Sequence, residues 1–317
     1  MGTDTIVLAH LSDVHLAPVE GFTPATWGVK RTLGWINWHS KRRFVHTRFA
    51  LDAIVADVHA QNPDHILVSG DLVNIGLPRE YEAACDWLLT LGASETVSVV
   101  PGNHDAYVAG DARRGISLWR DYMTGWPATQ SGEADQAECH GVAFPYVRRV
   151  GHVAVIGVNS GVPSKTAIGE VGPKQLARLA HDLERLGQAG LVRVVMIHHP
   201  PVPGLATPGR ALIDRVALAA VLERHGAELV VHGHNHTLSS VVRGGVRVEG
   251  VGSASAARAQ RHQPLACYNL IRIRGQGPGA AIQIETRGIA QDGGPLKTIA
   301  LRTLPLQTNA QILPTGT

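Results

Sequence analysis

The sequence predicts an α/β protein, and three observations lead to this expectation. Short runs rich in Val and Ile recur along the chain, and segments with the 3.6-residue apolar period of a helix separate them. The runs are apolar at almost every position, which is typical of strands covered on both faces. After His236, short runs joined by Gly-rich turns indicate antiparallel hairpins. We therefore expect a mainly central, largely buried sheet flanked by helices, with hairpins following it.

Six segments are predicted to be buried strands, and each runs into polar residues at its carboxyl end. They are TIVLAHLSD (5–13), HILVSGD (65–71), VSVVPGN (97–103), VAVIGVNS (153–160), VRVVMIHHP (192–200) and ELVVHGHNH (228–236). The predicted hairpin strands lie in 238–253, 267–275 and 280–288.

Four segments are predicted to be helices because their apolar residues fall on one face. They are 46–61, 79–91, 173–187 and 211–225. In the first, Leu51, Ile54 and Val58 recur at helical spacing. Pro173 suits the first turn of the third helix, and Gly226 can end the fourth.

Length and composition favour one domain over residues 1–317. A chain of 317 residues with 44% hydrophobic residues can bury a full core. We expect two appendages: a Trp-rich insert at about 26–44, and a loose tail from about 303. Nothing in the sequence indicates an oligomeric state.

Several features bear on the cellular environment. No apolar run approaches 18 residues, and the first residues lack the pattern of a signal peptide. The three cysteines are far apart and form neither a disulfide framework nor a thiolate metal site, so we expect a cytoplasmic protein. The net charge of +3 is too small to argue for a nucleic-acid partner.

The ends of the predicted strands carry side chains that bind metal ions. These are Asp13 and His15, Asp71, Asn103 and His104, His198 and His199, and His234 and His236. In open α/β sheets the functional crevice lies at the carboxyl ends of the strands, so these residues can converge. Imidazole, carboxylate and amide donors suit divalent ions, and this set is too large for one tetrahedral site. It fits two metals that share a bridging carboxylate.

Each motif alone has an ordinary structural explanation, such as a turn or a surface pair. In Asp13-x-His15 and His234-x-His236, however, alternate residues of an extended segment point the same way. The metal-site prediction depends on the complete set of motifs, each at a strand end.

With its five motifs in this order, the sequence resembles the calcineurin-like metallophosphoesterases, whose pattern is D-x-H, GD, GNH[DE], H and GHxH. The segments LVSGDLVNIGLPREYEAACDWL and VVPGNHD are similar to a bacterial branch that includes class III cyclic-nucleotide and glycerophosphodiester phosphodiesterases. The resemblance covers about residues 5–255. It implies a four-layer αββα sandwich of two mixed sheets flanked by helices.

The resemblance also implies the ligands of two metal ions, with Asp71 bridging them. One ion is expected on Asp13, His15, Asp71 and His236, and the other on Asp71, Asn103, His198 and His234. The ions are expected to be divalent or trivalent, with Fe, Mn and Zn as the candidates.

The implied function is hydrolysis of a small phosphodiester by a metal-activated hydroxide. By resemblance, His104 is the catalytic residue beside the leaving group, and Asp105 can orient it. Asn103 is also expected to contact the substrate, and His199 either contacts the substrate or supports a ligand.

Two other functions remain open at this stage. One is a pyrophosphatase of a nucleotide-linked lipid precursor of the UDP-diacylglucosamine type, although the best-known such branch has Arg where this chain has His104. The other is a metal-binding interaction scaffold, which the complete ligand set disfavours.

The Trp-rich insert has three possible roles. It contains Trp27, Trp35 and Trp38 together with five Lys or Arg residues. It can cap the site and grip a phosphodiester, make peripheral contact with an anionic membrane, or simply pack on the domain. Its closeness to Asp13 and His15 in sequence is the reason to expect it near the site.

Overall fold

A computed structural model describes residues 5–107, 115–125, 137–139, 142–163, 167–260, 262–289 and 295–303. Within these ranges no helix is both long enough and apolar enough to cross a bilayer. Residues 304–317, which make up almost all of the predicted tail, lie outside the described ranges, as do parts of 105–145.

Every predicted strand and helix is present. The strands are β1 (Ile6–Leu11), β2 (His65–Val68), β3 (Val97–Val99), β4 (Ala137–Cys139), β5 (Val142–Phe144), β6 (Tyr146–Val150), β7 (Val153–Val158), β8 (Val192–Ile197), β9 (Leu229–His232), β10 (Ser239–Arg243), β11 (Val246–Gly250), β12 (Cys267–Arg274), β13 (Ala281–Ile289) and β14 (Leu296–Thr303). The α-helices are α1 (Val29–Ser40), α2 (Arg48–Ala60), α3 (Pro78–Leu91), α4 (Pro173–Gln188) and α5 (Arg215–His225).

Two six-stranded mixed sheets form the centre of the fold. The first has the order β14-β13-β12-β1-β2-β3, with β1, β2 and β3 parallel and the other strands antiparallel. The second has the order β10-β11-β9-β8-β7-β6, with antiparallel pairs at both edges and parallel pairs between them. The expected two mixed sheets flanked by helices are confirmed, and the late hairpins extend both sheets.

The stacking of the two sheets follows from alternation along the strands of the second sheet. In β8, Val194 and Met196 belong to the apolar cluster that also holds the residues of the first sheet. Their neighbours Val195 and Ile197 belong to a second cluster, which contains the apolar stripes of α4 and α5. Since alternate side chains of a strand point to opposite faces, one face of β8 covers the first sheet and the other covers helices. Both faces of β8 are therefore covered and excluded from water, as the apolar runs predicted.

The helical stripes predicted from sequence are buried. Leu51, Ile54 and Val58 of α2 are fully enclosed, and each such side chain stabilises the fold by about 1.5–3 kcal/mol. The Thr47 hydroxyl accepts a hydrogen bond from the Ala50 N–H and so caps the start of α2.

Strands β4, β5 and β6 were not predicted, and three further elements differ from the prediction. The fourth helix begins at Arg215 rather than at 211, because the Asp214 carboxylate accepts N–H groups of Val171 and Gly172 and ties the preceding chain to the start of α4. Strand β14 was not predicted, because its Lys and Arg residues obscure the apolar pattern of an exposed edge strand. Helix α1, inside the Trp-rich insert, was also not predicted, because its apolar residues lie on more than one face.

An ion pair attaches α2 to the first sheet. Arg287 on β13 donates two hydrogen bonds to the Asp57 carboxylate, at 2.8 and 2.9 Å, and the Tyr268 hydroxyl of β12 donates a third at 2.6 Å. The hydrogen bonds from Arg287 lower the pKa of Asp57, although burial opposes them.

We predict that Asp57→Asn lowers the free energy of unfolding at pH 7 by about 1–2 kcal/mol, allowing for solvent screening of a partly exposed pair. A carboxyl whose folded pKa is lowered stabilises the fold above its unfolded pKa and loses this effect as pH falls through the folded value. The difference between wild type and variant should therefore shrink below about pH 4. Urea unfolding between about pH 7 and pH 3 measures it.

Asp52→Asn is the matched control, because Asp52 lies on the same helix in an exposed pair with Arg48. It should change stability by less than about 0.5 kcal/mol. Equal effects of the two substitutions, or a difference that grows in acid, would contradict the assignment.

Candidate metal centre

The seven predicted metal ligands converge at one edge of the sandwich. Each follows the carboxyl end of a parallel strand: β1, β2 and β3 of the first sheet, or β8 and β9 of the second. Because the carboxyl ends of parallel strands share an edge, stacking the two sheets brings these loops together. Of the seven side chains, six are buried, and His236 is slightly exposed.

The first group of donors surrounds Asp13 and the two histidines nearest to it. His236 Nε2 lies 3.0 Å from Asp13 Oδ1 and 3.3 Å from His15 Nε2. His15 Nε2 lies 3.8 Å from Asp71 Oδ2. These distances bring together the four residues that the resemblance gave to the first ion.

The second group surrounds His198. Its Nε2 lies 3.3 Å from Asp71 Oδ2, 3.2 Å from Asn103 Oδ1 and 3.2 Å from His234 Nδ1. Asp71 Oδ2 is therefore close to a histidine of each group.

The backbone at these positions is strained. Five of the predicted ligands have positive φ, and Asn62 is the only other non-glycine residue with positive φ in the described part of the chain. The five are Asp13 (53°), His15 (41°), Asp71 (56°), His234 (69°) and His236 (56°). Non-glycine residues adopt this region at an energetic cost, and such strain concentrates at functional sites. The strain turns side chains from successive loops toward the same point.

The residues fit bound cations. Asp13 Oδ1 is buried, has no assigned hydrogen-bond partner in the described part of the chain, and lies 3.0 Å from His236 Nε2. Burial lowers the pKa values of His15 and His234 well below their usual range, so these rings are neutral and offer lone pairs. Burial raises the pKa of Asp71, but the neighbouring His198, His104 and His15 together outweigh it, so its pKa is lowered and this carboxyl stays ionised. Neutral imidazoles and carboxylates whose donor atoms face each other are a chemically suitable set for divalent metals.

His104 lies beside this centre, and its ring is held in place. The Asn74 carbonyl is the partner of Nδ1, which must therefore carry the proton, and Nε2 accepts a hydrogen bond from Arg42 at 3.2 Å. Burial, followed by the charge of Arg42, lowers the pKa of His104 to about 4.

Asp105 has a different role from the one predicted. Its carboxylate accepts four backbone N–H groups, those of Asp71, Leu72, Val73 and Gly102, at 2.7–3.1 Å. The prediction that Asp105 orients His104 is wrong, since the Asn74 carbonyl does so. Asp105 instead joins the loop that carries Asp71 to the loop after β3.

His199 is fully buried behind the donors. Its Nδ1 lies 2.8 Å from Ser160 Oγ, and its ring centroid lies 4.4 Å from that of His234. Of the two predicted roles, support of a neighbouring ligand fits this position better than contact with a substrate.

Three residues that the sequence motifs did not indicate also reach the centre. The His46 ring packs against His15 and His236, with centroids at 4.6 and 5.5 Å. Arg42 Nη2 donates to His15 Nε2 at 2.8 Å, and Arg210 borders the same cavity. His46 belongs to no motif, and Arg42 lies in the Trp-rich insert, which the sequence distinguishes only by its content of Trp, Lys and Arg.

A cavity of about 330 Å³ opens over the centre. Its lining consists of Asn37, Lys41, Arg42, Val45, His46, Asp71, Asn103, His104, Ala167, Arg210, His234, His236, Gln260 and Gln263. The Trp-rich insert therefore borders the site, but through polar and basic residues. Trp38 is buried in a small apolar cluster, Trp35 stacks on Phe22, and Trp27 is exposed.

A model of the calcineurin-like phosphoesterase family matches residues 6–238, a range that contains all seven of the predicted ligands. The chain belongs to this family. Membership agrees with the convergence of the motif residues on one edge of the sandwich.

Two curated relatives have informative names. A glycerophosphodiester phosphodiesterase, GpdQ, from Enterobacter lignolyticus is 25% identical over 244 residues, which cover 74% of this chain and 72% of the relative. A protein from Vesicomyosocius okutanii named "probable cyclic nucleotide phosphodiesterase" is 24% identical over 208 residues, which cover 64% of this chain and 76% of the relative.

Solved structures confirm the fold. A dimetal phosphatase from Danio rerio superposes with a TM-score of 0.64 at 13% identity, covering 95% of this chain and 99% of that one. A purple acid phosphatase from yellow lupin gives a TM-score of 0.54 at 11% identity, covering 96% and 54%. At such low identities the likeness establishes the fold alone.

We predict that Asp105→Asn lowers the free energy of unfolding by about 2–5 kcal/mol, because an amide group replaces an oxygen that accepts buried N–H groups. Chemical denaturation measures the change. Asp64→Asn is the control, because among the described residues the Asp64 carboxylate accepts only the Val7 N–H, at an exposed position, and the substitution should cost less than about 1 kcal/mol. A neutral Asp105→Asn would contradict its role as the tie between the two loops.

Proposed function

We propose that this protein is a dinuclear metal-dependent phosphodiesterase that hydrolyses a small phosphodiester. The observation that carries the proposal is the position of Asp71. Its Oδ2 lies 3.8 Å from His15 Nε2 and 3.3 Å from His198 Nε2, one histidine from each donor group. A carboxylate in this position suits the bridging ligand of a two-metal site.

The ligand assignment follows the two groups of donors. One ion would be held by Asp13, His15, Asp71 and His236, and the other by Asp71, Asn103, His198 and His234. When bound, two such cations lower the pKa of water and neutralise the charge that develops on the phosphoryl group. Fe, Mn and Zn are all compatible with imidazole, carboxylate and amide donors.

The basic wall of the cavity supplies the affinity for an anionic substrate. Lys41, Arg42 and Arg210 line the cavity together with Asn103. The planar guanidinium of Arg42 can donate two hydrogen bonds to phosphate oxygens. We assign these residues to substrate binding, with Asn103 serving as both ligand and substrate contact.

His104 acts on the leaving group. Because Nδ1 is bonded to the Asn74 carbonyl, Nε2 is the atom available to the cavity. An anionic diester beside Nε2 favours the protonated ring, which then donates a proton to the departing oxygen. His199, held by Ser160, positions His234.

The names of the relatives support a diester rather than a monoester. One is named for glycerophosphodiesters and another for cyclic nucleotides, both of which are phosphodiesters.

A pyrophosphatase of a nucleotide-linked lipid precursor is the second candidate. The three basic residues around one cavity favour it, because their combined positive charge exceeds the single negative charge of a phosphodiester. Hydrolysis of UDP-diacylglucosamine in place of simple diesters would favour it. An interaction scaffold without catalysis would show neither activity.

The first experiment compares wild type with Asp71→Ala after reconstitution with Mn²⁺. We expect about two metal ions per wild-type chain and faster hydrolysis of bis-p-nitrophenyl phosphate than of p-nitrophenyl phosphate. Asp71→Ala should bind fewer ions, and its turnover should fall at least about 1,000-fold. Elemental analysis of the folded protein and initial rates give both quantities.

His65→Gln is the matched control. His65 is a buried histidine at the amino end of β2, bonded to Ser98 Oγ at 2.8 Å, whereas Asp71 follows the carboxyl end of the same strand. The control should keep its metals and its turnover. Wild type that binds no metal would contradict the metal centre, and a preference for the monoester would move the function to a phosphatase.

A second prediction concerns His104. His104→Gln should retain about two metals per chain, while kcat falls about 100- to 10,000-fold. The loss should be larger for a diester with an alkyl leaving group than for one with p-nitrophenolate, which departs without a proton. Equal losses for both leaving groups would show that His104 does not assist departure.

A further inference from the structure

Helix α1 of the Trp-rich insert presents an apolar face to solvent. Val29, Leu33 and Ile36 recur at positions i, i+4 and i+7, which places them on one side of the helix. They are 82%, 62% and 52% exposed. We refer to these three residues as the α1 outer face.

The opposite side of α1 is attached to the body of the protein, so the orientation of the helix is fixed. A Cβ at Gly34 would lie 2.5 Å from the Tyr107 hydroxyl, so only glycine allows this close approach. Lys30 Nζ donates to the Tyr107 carbonyl, and Arg31 Nη2 donates to the Gly76 carbonyl, both at 2.6 Å. The basic residues of α1 point to the protein, and its apolar residues point away from it.

Aromatic residues that flank α1 in sequence are exposed as well. Trp27 precedes the helix, and Phe44 and Phe49 follow it, all with large exposed fractions. The guanidinium groups of Arg43 and Arg258 lie 4.6 and 5.6 Å from the centroid of the Phe44 ring. Aromatic rings beside basic groups are typical of surfaces that meet the interface of a bilayer.

The charge of this segment is strongly one-sided. Residues 21–51 contain six Lys or Arg and no Asp or Glu, whereas the rest of the chain contains 23 basic and 26 acidic residues. Lys41 and Arg43 are exposed next to the helix. The segment is therefore a local positive region on a nearly neutral protein.

We propose that the α1 outer face, with its basic surroundings, binds the surface of an anionic phospholipid bilayer. A helix with exposed apolar residues on its outer side and basic residues beside it suits the headgroup boundary of an anionic bilayer. Anionic lipids complement the basic residues, and each Lys or Arg near such a surface contributes about 1 kcal/mol. A second copy of the chain would bring the same positive charge and be repelled.

Docking through α1 also bears on the candidate metal centre. Arg42 follows α1 and lines the cavity over the candidate metal centre. Binding through α1 would therefore engage a segment that also lines that cavity. The docking itself does not require hydrolysis, so it can be tested separately from the proposed function.

The test measures sedimentation of the full chain with vesicles of phosphatidylcholine, either pure or containing about 30% phosphatidylglycerol. We expect wild type to bind the anionic vesicles and to be released as the salt concentration rises. Leu33→Gln with Ile36→Gln should weaken this binding at least about tenfold. Arg43→Gln with Arg258→Gln should weaken it and reduce its salt dependence.

Leu89→Gln with Val242→Gln is the matched control, because these residues on α3 and β10 are similarly exposed, at 66% and 64%. This control should bind vesicles like wild type. All three double variants should hydrolyse soluble bis-p-nitrophenyl phosphate within about twofold of wild type, which shows that the site is intact.

Three outcomes would overturn the proposal: no binding of wild type to anionic vesicles, equal binding to neutral vesicles, or an equal loss in the control. Concentration-dependent dimers that Leu33→Gln with Ile36→Gln abolishes would assign the face to a second copy instead. Absence of hydrolysis in every protein would count against the proposed function and leave the vesicle result standing.

Discussion

The contact of the Asp71 carboxylate with His15 on one side and His198 on the other depends on both sheets at once. His15 follows β1 of the first sheet, and His198 follows β8 of the second. The two contacts exist only if the sheets stack with their carboxyl ends at the same edge. Burial of alternate residues of β8, such as Val194 and Val195, against opposite layers fixes that arrangement. The apolar core therefore sets the geometry of the polar centre.

Hydrogen bonds between the loops hold the centre together and compensate for its strained backbone. Residues in the left-handed region cost about 1–2 kcal/mol each, and five of them meet here. The His15 N–H bonds to the Asp71 carbonyl, the Ser253 hydroxyl donates to the Asp13 carbonyl, and the Asp13 carboxylate accepts the His234 N–H. The loops thus restrain one another across the sandwich, and this explains how the rigid sheets can support strained ligand positions.

The Trp-rich insert connects this centre with the outer surface. Its inner side provides Arg42 to the cavity, while Trp38 packs on the body and the α1 outer face meets solvent. A single short segment therefore takes part in both the substrate binding and the membrane docking that we propose. Because apolar residues of α1 lie on both its inner and its outer side, they form no single helical stripe in the sequence.

The sequence by itself determined strands β1–β3 and β7–β13, the helices other than α1, and the residue types at the strand ends, because periodicity and short motifs are local properties. It also predicted seven metal ligands, and the fold brings these seven side chains together. Only the tertiary structure decided which sheet each strand joins, that Asp105 ties two loops, and that Arg42 and His46 reach the centre. These contacts join residues far apart in sequence or in segments without a motif, so they depend on how the two sheets and the insert pack.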